Sequence, residues 1–176
     1  MTLTLITAPT QALVGATELR DHLRVTDASE DAYIASLVAG AVAYLDGWGG
    51  VLGRAIMPQT WRQEFDGWGA LKLALPDVTA VVVTYEDANG AEQPATTATL
   101  RKSGTAWIVE ADGPDASCVF VNMTCGLPAA RLPAAQTIVK LIVAHWYLNR
   151  EAVGEAMSEV PMSATALIEA LRYRAL

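Results

Sequence analysis

The side chains best suited to chemistry lie together near residue 145. The run LIVAHWYLNREAVG at 141–154 places His145, Asn149, Arg150 and Glu151 beside aromatic residues. A histidine acting as a general base needs an orienting carboxylate and a nucleophile within hydrogen-bond reach. Asn149 follows His145 by one helical turn and is expected to bond to it, but no acid shares that face. The spacing therefore favours a structural histidine, and we predict no catalytic residue.

The acidic and thiol groups do not predict a metal site. Cys118 and Cys125 are seven residues apart, too far for a C-x-x-C pair, and we expect free, buried or half-buried thiols. Two acidic groups lack the ligand alternation of a calcium loop: Asp27, Glu30 and Asp31, and Glu110, Asp112 and Asp115. No glycine-rich segment has phosphate-loop spacing. We therefore expect no metal and no cofactor.

Composition limits the classes of partner. The chain has 12 Lys and Arg against 19 Asp and Glu, a formal net charge of −7. Tight binding to nucleic acid requires several basic contacts to phosphates, so DNA binding is not expected. The longest apolar run, TIVKLIVAHWYL, is far shorter than the roughly 20 residues of a membrane helix, and the N-terminus lacks the basic start of a signal peptide. Charged residues make up only 18% of the chain, which hints at an oligomer.

The segment 16–48 has helical periodicity. Thr17 is the predicted N-cap of a short first helix, and Asp27 followed by Glu30 is the capping signature of a second. Gly47 is expected to end the second helix. Apolar residues recur there at three- and four-residue steps and form a broad stripe: Tyr33, Ile34, Leu37, Val38, Ala41, Val42, Leu45 and Trp48.

Helical periodicity returns near the C-terminus. The segment 133–152 is apolar nearly all round, which predicts a central helix, with Pro133 in its first turn. A short amphipathic helix is predicted within 163–176, capped by Ser163.

The region between the helices, about 55–126, has the texture of strands. Short β-branched and aromatic runs alternate with turn signals at Asn89-Gly90 and Ser103-Gly104. They predict five or six antiparallel strands in a small sheet, a sandwich or a partial barrel. The predicted fold is therefore α+β, in a single domain spanning 1–176. Its N- and C-terminal helices (16–50 and 133–176) form a helical bundle, and a small antiparallel β lobe is inserted between them.

Three motifs occur in the order found in the head–tail connector, or adaptor, proteins of tailed phages and of phage-derived gene transfer agents. They are HLRV at 22–25, QTW at 59–61 and AHWYLNRE at 144–151. The hairpin segment LALPDVTAVVVTYEDANG at 73–90 is also similar to that family. The chain therefore resembles these connectors over most of its length. It departs from their pattern at Leu148, where the family has an acid.

The resemblance implies a structural virion protein and not an enzyme. Such proteins form a homo-oligomeric ring, commonly of about twelve subunits, between the portal at the capsid vertex and the stopper or tail-terminator protein. DNA passes through the ring without specific binding, and no membrane is involved. The implied location is the capsid–tail junction of a virion or virion-like particle, after assembly in the host cytoplasm. We expect the isolated protein to be monomeric until the portal templates the ring.

The resemblance also implies where contacts form. Its C-terminal segment, about 160–176, is expected to act as an arm that reaches the portal. Interface residues are expected there and at the end of the preceding helix: Trp146, Asn149, Arg150, Glu151, Leu167, Leu171, Arg172, Tyr173 and Arg174. Two alternatives remain, namely a tail-completion or stopper protein, and a small hydrolase that uses His145 with an acid from the β lobe.

Overall fold

The computed structural model describes residues 2–149 and 161–174 of the 176-residue chain. In this part of the chain four α-helices and two antiparallel sheets are present, which confirms the α+β class. The chain divides into a β unit and a helical unit. The β unit comprises Met1–Thr10, Met57–Leu127 and Tyr173–Leu176, and the helical unit comprises Gln11–Ile56 and Pro128–Arg172.

The helical unit contains α1 (Ala16–Leu23), α2 (Asp31–Leu45), α3 (Leu132–Leu148) and α4 (Met162–Leu171). As predicted, Pro133 lies in the first turn of α3. The helices bury apolar side chains from each element, including Leu19, Ile34, Leu45, Ile138, Ile142 and Ile168. Trp48, predicted to continue the stripe of α2, lies beyond the end of that helix and is exposed. The bundle geometry of these helices stays a prediction.

Two of the predicted N-caps are wrong. Helix α1 is preceded by Gly15 in extended backbone, which places Thr17 inside the helix. Helix α4 follows Pro161, which places Ser163 inside the helix. In both cases the helix starts earlier than the hydroxyl residue, because Gly and Pro take the boundary backbone conformation without a side-chain cap.

The capping signature before α2 is half formed. The Oδ1 atom of Asp27 accepts a hydrogen bond from the Ser29 backbone N–H at 2.9 Å, and this caps a 3₁₀ turn at Ala28–Glu30 that leads into α2. The carboxylate of Glu30 accepts a hydrogen bond from the hydroxyl of Tyr147 on α3. A residue predicted to stabilise its own helix end therefore also joins two helices.

The hydroxyl of Tyr147 provides a test of this link. We expect Tyr147→Phe to lower the free energy of unfolding by about 1 to 2 kcal/mol, because it removes a partly buried hydrogen bond to a carboxylate and leaves the ring packing on Tyr33. Urea denaturation measures the change. A matched control is Tyr44→Phe, since Tyr44 is an exposed tyrosine on α2. Equal effects of the two substitutions would contradict the link.

The described part of the β unit contains eight strands. Seven of them lie within 59–125, where five or six were predicted. They are β1 (Leu3–Thr7), β2 (Gln59–Phe65), β3 (Gly69–Lys72), β4 (Val78–Glu86), β5 (Glu92–Pro94), β6 (Thr97–Ser103), β7 (Ala106–Asp112) and β8 (Val119–Cys125). One sheet has the order β1-β2-β8-β4-β5 and the other β3-β7-β6, and every pairing is antiparallel. Both predicted turns are present, with positive φ at Gly90 and Gly104. Strand β1 was not predicted.

A buried glutamine links the two sheets within the β unit. The side chain of Gln63 on β2 is fully buried. Its Oε1 atom accepts from the Ala74 N–H at 2.9 Å, and its Nε2 atom donates to the Lys72 carbonyl at 3.1 Å. The side-chain amide of Gln63 thus supplies the hydrogen bonds that a neighbouring strand would make to the main chain at the end of β3. These buried main-chain groups are therefore hydrogen-bonded without water.

Candidate assembly interface

His145 lies half-buried near the C-terminal end of α3. The Nδ2 atom of Asn149 lies 3.5 Å from its Nδ1 and donates to its carbonyl oxygen at 2.8 Å. The predicted contact between Asn149 and His145 is therefore present. It is made mainly to the His145 carbonyl, so Asn149 caps the C-terminal end of α3. Among the described residues no hydrogen bond or ion pair joins a carboxylate to His145. The geometry does not assemble the base that a hydrolase would need.

As predicted, both cysteines are present as thiols, with Cys125 buried and Cys118 half-buried. Burial raises the pKa of the Cys118 thiol, and the negative charges of Glu64, Glu86 and Asp66 raise it further against the opposing charge of Arg62. A nucleophilic cysteine requires the opposite setting, because the thiolate is the reactive form. In the part of the chain described here, no group of three or more His, Cys, Asp and Glu could hold a metal ion.

The raised pKa of Cys118 predicts low reactivity. At pH 7 we expect native Cys118 to be alkylated by iodoacetamide at least about tenfold more slowly than the same residue in the unfolded chain, since both burial and charge disfavour the thiolate. Peptide mass spectrometry over a time course measures the two rates. Fast alkylation of Cys118 in the folded protein would show that it is an activated thiol.

The predicted interface residues occupy different environments. Trp146 is half-buried, and a Cβ atom at Gly40 of α2 would lie 3.5 Å from its ring. Asn149 is exposed, and Arg150 and Glu151 lie outside the described residues. On α4, Leu167 is half-buried and Leu171 lies in the core of the helical unit. The side chain of Leu171 is therefore not accessible to a partner in this structure.

The residues after α4 form hydrogen bonds to main-chain carbonyls of earlier segments. The Nε atom of Arg172 donates to the Val51 carbonyl at 2.9 Å, and its Nη1 lies 3.2 Å from Glu169. The hydroxyl of Tyr173 donates to the Thr105 carbonyl at 3.4 Å within the β unit, and Arg174 is exposed. The expectation of an arm over 160–176 is therefore wrong for Met162–Leu171, because this helix buries Ala164, Ile168 and Leu171.

Several large apolar side chains outside the predicted interface set are exposed. On the helical unit, Leu148 is 78% exposed at the end of α3 and Met162 is 88% exposed at the start of α4. Tyr44 and Trp48 are exposed at the end of α2 and just after it. On the β unit the exposed set is Leu5, Ile6 and Val82. Contact sites are marked by contiguous apolar patches, so these residues are only candidates for one.

Basic residues are spread over the described part of the chain. Several of them lie in ion pairs with acids: Arg20 with Asp31, Arg62 with Glu92, Arg101 with Glu110, Lys140 with Glu18 and Arg172 with Glu169. Pairing of this kind leaves less positive charge for a nucleic acid backbone, on a chain that already carries a net charge of −7. No described helix is long and apolar enough to cross a bilayer.

The described residues form an α+β protein with several exposed apolar side chains. No family model matches the chain, and no curated protein matches it. Solved structures do. A chain of a structure described as the virion of a native gene transfer agent (GTA) particle is 26% identical with a TM-score of 0.74, and the match covers 100% of this chain and 98% of that one.

Two further matches come from the neck of such particles. A chain from the neck of an empty GTA particle, computed with C6 symmetry, is 27% identical with a TM-score of 0.74. A chain from the neck of a native GTA particle, computed with C12 symmetry, is 25% identical with a TM-score of 0.69. Both matches cover 100% of this chain and 98% of the other. These neighbours support a phage-derived structural protein of the particle neck.

Proposed function

We propose that this chain is a head–tail connector, or adaptor, of a phage-like particle or gene transfer agent. Copies form a ring that joins the portal at the capsid vertex to the stopper or tail-terminator protein. The observation that carries this proposal is the end-to-end likeness to chains of GTA necks, one of them computed with C12 symmetry.

The charge of the chain supports passage of DNA through the ring. A net charge of −7 repels a polyanion, and the ion pairs described above neutralise several of the basic side chains. A channel wall of this kind lets DNA slide without binding it, since tight binding grows with the number of phosphates that Lys and Arg neutralise. In this proposal the ring therefore lets DNA pass and joins the portal to the stopper or tail-terminator protein.

Exposed apolar groups of the helical unit supply the contact with a neck partner. Leu148 and Met162 are its two most exposed large apolar side chains. Because α4 is packed into its unit, docking to the portal uses the surface of a folded helix and not a free arm over Met162–Leu171. Arg174, which is exposed beyond α4, adds a positive group at the chain end.

Particle composition tests the proposal. Quantitative mass spectrometry of purified particles should give a stoichiometry of 12 copies, the symmetry number of one matched neck, and cross-linking should join the chain to the portal. Deletion of the gene should yield DNA-packaging capsids without tails. Cross-links to tail proteins but none to the portal would assign the chain as a stopper or tail-completion protein and overturn the adaptor role.

A pair of neighbouring substitutions tests the docking surface. We expect Met162→Glu to reduce incorporation into particles at least about tenfold, because a charge replaces an exposed apolar contact. Ser163→Glu is the matched control, since Ser163 is also exposed on α4 and receives the same charge. Equal incorporation of the two variants would show that the portal binds elsewhere.

A further inference from the structure

We propose that the ring is closed by strand addition, with β1 of one copy pairing with the open edge of β4 in the next copy. This inference rests on the proposed function, since it explains how the ring forms. Strand β1 lies at one end of the five-stranded sheet, and β4 lies near the other end. Pairing between copies would continue the sheet from subunit to subunit around the ring.

The backbone of β1 presents unpaired groups in a defined register. The Glu64 N–H donates to the Thr2 carbonyl at 3.1 Å, and Leu3, Thr4 and Leu5 lie opposite Gln63, Arg62 and Trp61. Hydrogen-bonded and non-hydrogen-bonded pairs alternate in an antiparallel ladder. Thr4 therefore bonds inward to β2, whereas the N–H and C=O groups of Leu3 and Leu5 face away from the sheet.

Two other edge strands carry features that discourage pairing, whereas the Leu3–Leu5 part of β1 has neither charge nor proline and its register shift comes only after Leu5. Strand β5 has three residues and ends in Pro94, and β6 carries Arg101 and Lys102. Proline, short length and charge are the usual protections of an edge. By contrast β1 reads LTLIT, is uncharged, and exposes Leu5 by 41% and Ile6 by 54%. An edge of this kind is suited to receive another strand.

The second copy offers a complementary edge on β4. Strand β5 pairs only with Thr84, Tyr85 and Glu86, so within the described residues no strand pairs with the outer edge of the first half of β4. The Ala95 N–H donates to the Val83 carbonyl, which shows that Val83 faces outward. By the same alternation the backbone groups of Val81 also face outward. The neighbouring Val82 is 61% exposed.

Charge and symmetry both favour a second copy of this chain as the occupant. In a chain with a net charge of −7, contacts between copies are least costly where surfaces are neutral. Both edges meet this condition, because Leu3–Thr7 and the first eight residues of β4, 78–85, contain no charged side chain. Contact between two different edges is heterologous and closes into a ring, whereas β1 pairing with itself gives a two-fold dimer.

A proline substitution tests the backbone contact. Because the N–H of Leu5 faces outward, Leu5→Pro removes a donor to the neighbour and leaves the bonds between β1 and β2 intact. We expect at least a tenfold loss of ring assembly on the portal, measured by negative-stain imaging, with an unchanged circular dichroism spectrum. Leu5→Ala keeps the N–H and is expected to assemble within threefold of the parent. Equal loss with both variants, or normal rings with Leu5→Pro, would overturn strand addition.

Cross-linking in assembled particles tests the pairing without requiring loss of assembly. In a Cys118→Ala background, Thr4→Cys combined with Val82→Cys should give a ladder of covalent multimers with a short bismaleimide, because the exposed Thr4 and Val82 lie on the same face of the sheet. Each single variant should give none, and Thr4→Cys combined with Lys102→Cys is the matched control on the β6 edge. Dimers from Thr4→Cys alone would overturn the proposal in favour of two-fold pairing.

The two proposals fail in different ways. If the chain is absent from the neck, the adaptor function fails. If the chain is present in the neck at ring stoichiometry but the double-cysteine variant gives no ladder, only the strand-addition interface fails.

Discussion

Replacing Gly50 by alanine is expected to lower the free energy of unfolding by about 3 kcal/mol or more. A Cβ atom at this position would lie against the carbonyl oxygens of Leu45 and Asp46 at the end of α2, closer than real Cβ atoms approach. The loop cannot easily move away, because the Val51 N–H donates to the Tyr44 carbonyl at 2.9 Å and Leu52 is buried. Overpacking against rigid backbone is costly for this reason.

The neighbouring glycine supplies the control. A Cβ atom at Gly49 would meet nothing within 4 Å, so Gly49→Ala should change stability by less than about 0.5 kcal/mol. Chemical denaturation of both variants gives the comparison. Similar losses at the two positions would mean that the turn after α2 tolerates displacement, contrary to its hydrogen bonds.

Replacing Gln63 by leucine is expected to cost roughly 2 to 4 kcal/mol. The leucine fills much of the same volume but removes the partner of the Lys72 carbonyl and the Ala74 N–H in a buried position. Leaving a buried donor or acceptor without its partner costs about 1 to 3 kcal/mol for each group. The loss should appear as a lower denaturation midpoint with an unchanged slope.

A glutamine elsewhere in the same unit is the control for this substitution. Gln93 is half-buried and donates to Asp87 at 3.2 Å near the turn after β4. Gln93→Leu removes one partly solvated bond, so we expect a loss below about 1 kcal/mol. A loss from Gln63→Leu no larger than this would show that water replaces the amide, and that Gln63 does not hold the sheets together.

Much of the helical unit could be predicted because its signals are local. Pro133 in a first turn and Asp27 ahead of α2 are short-range features, and both are present. The turns at Gly90 and Gly104 follow from the need for positive φ, which glycine meets without strain.

The parts that could not be predicted depend on long-range contacts. Strand β1 is short and pairs with β2, a segment more than fifty residues later, so its own sequence gave no turn signal to define it. The role of Gln63 depends on where β3 ends, and the partner of Arg172 is a carbonyl far away in the chain. The periodicity of apolar residues along the sequence does not predict such long-range pairings.

The candidate interface shows the same division. Motifs placed it at the end of α3 and from Leu167 onward in α4, which stays a prediction. Of the exposed apolar residues, Leu148 lies at the end of α3 but Met162 lies at the start of α4. Periodicity could not tell Leu171, which is buried, from Met162, which is exposed, since both are apolar residues of one short helix. Burial is decided by what packs against each face.

By itself the sequence determined an acidic α+β chain with central apolar helices, a set of tight turns and no spacing suited to catalysis. These properties follow from composition and from contacts between residues close in the chain. Only the tertiary structure decided which apolar groups stay on the surface and which sheet edges stay unpaired. That is because exposure and strand order depend on segments distant in sequence, such as β1 beside β2 and β8 beside β4.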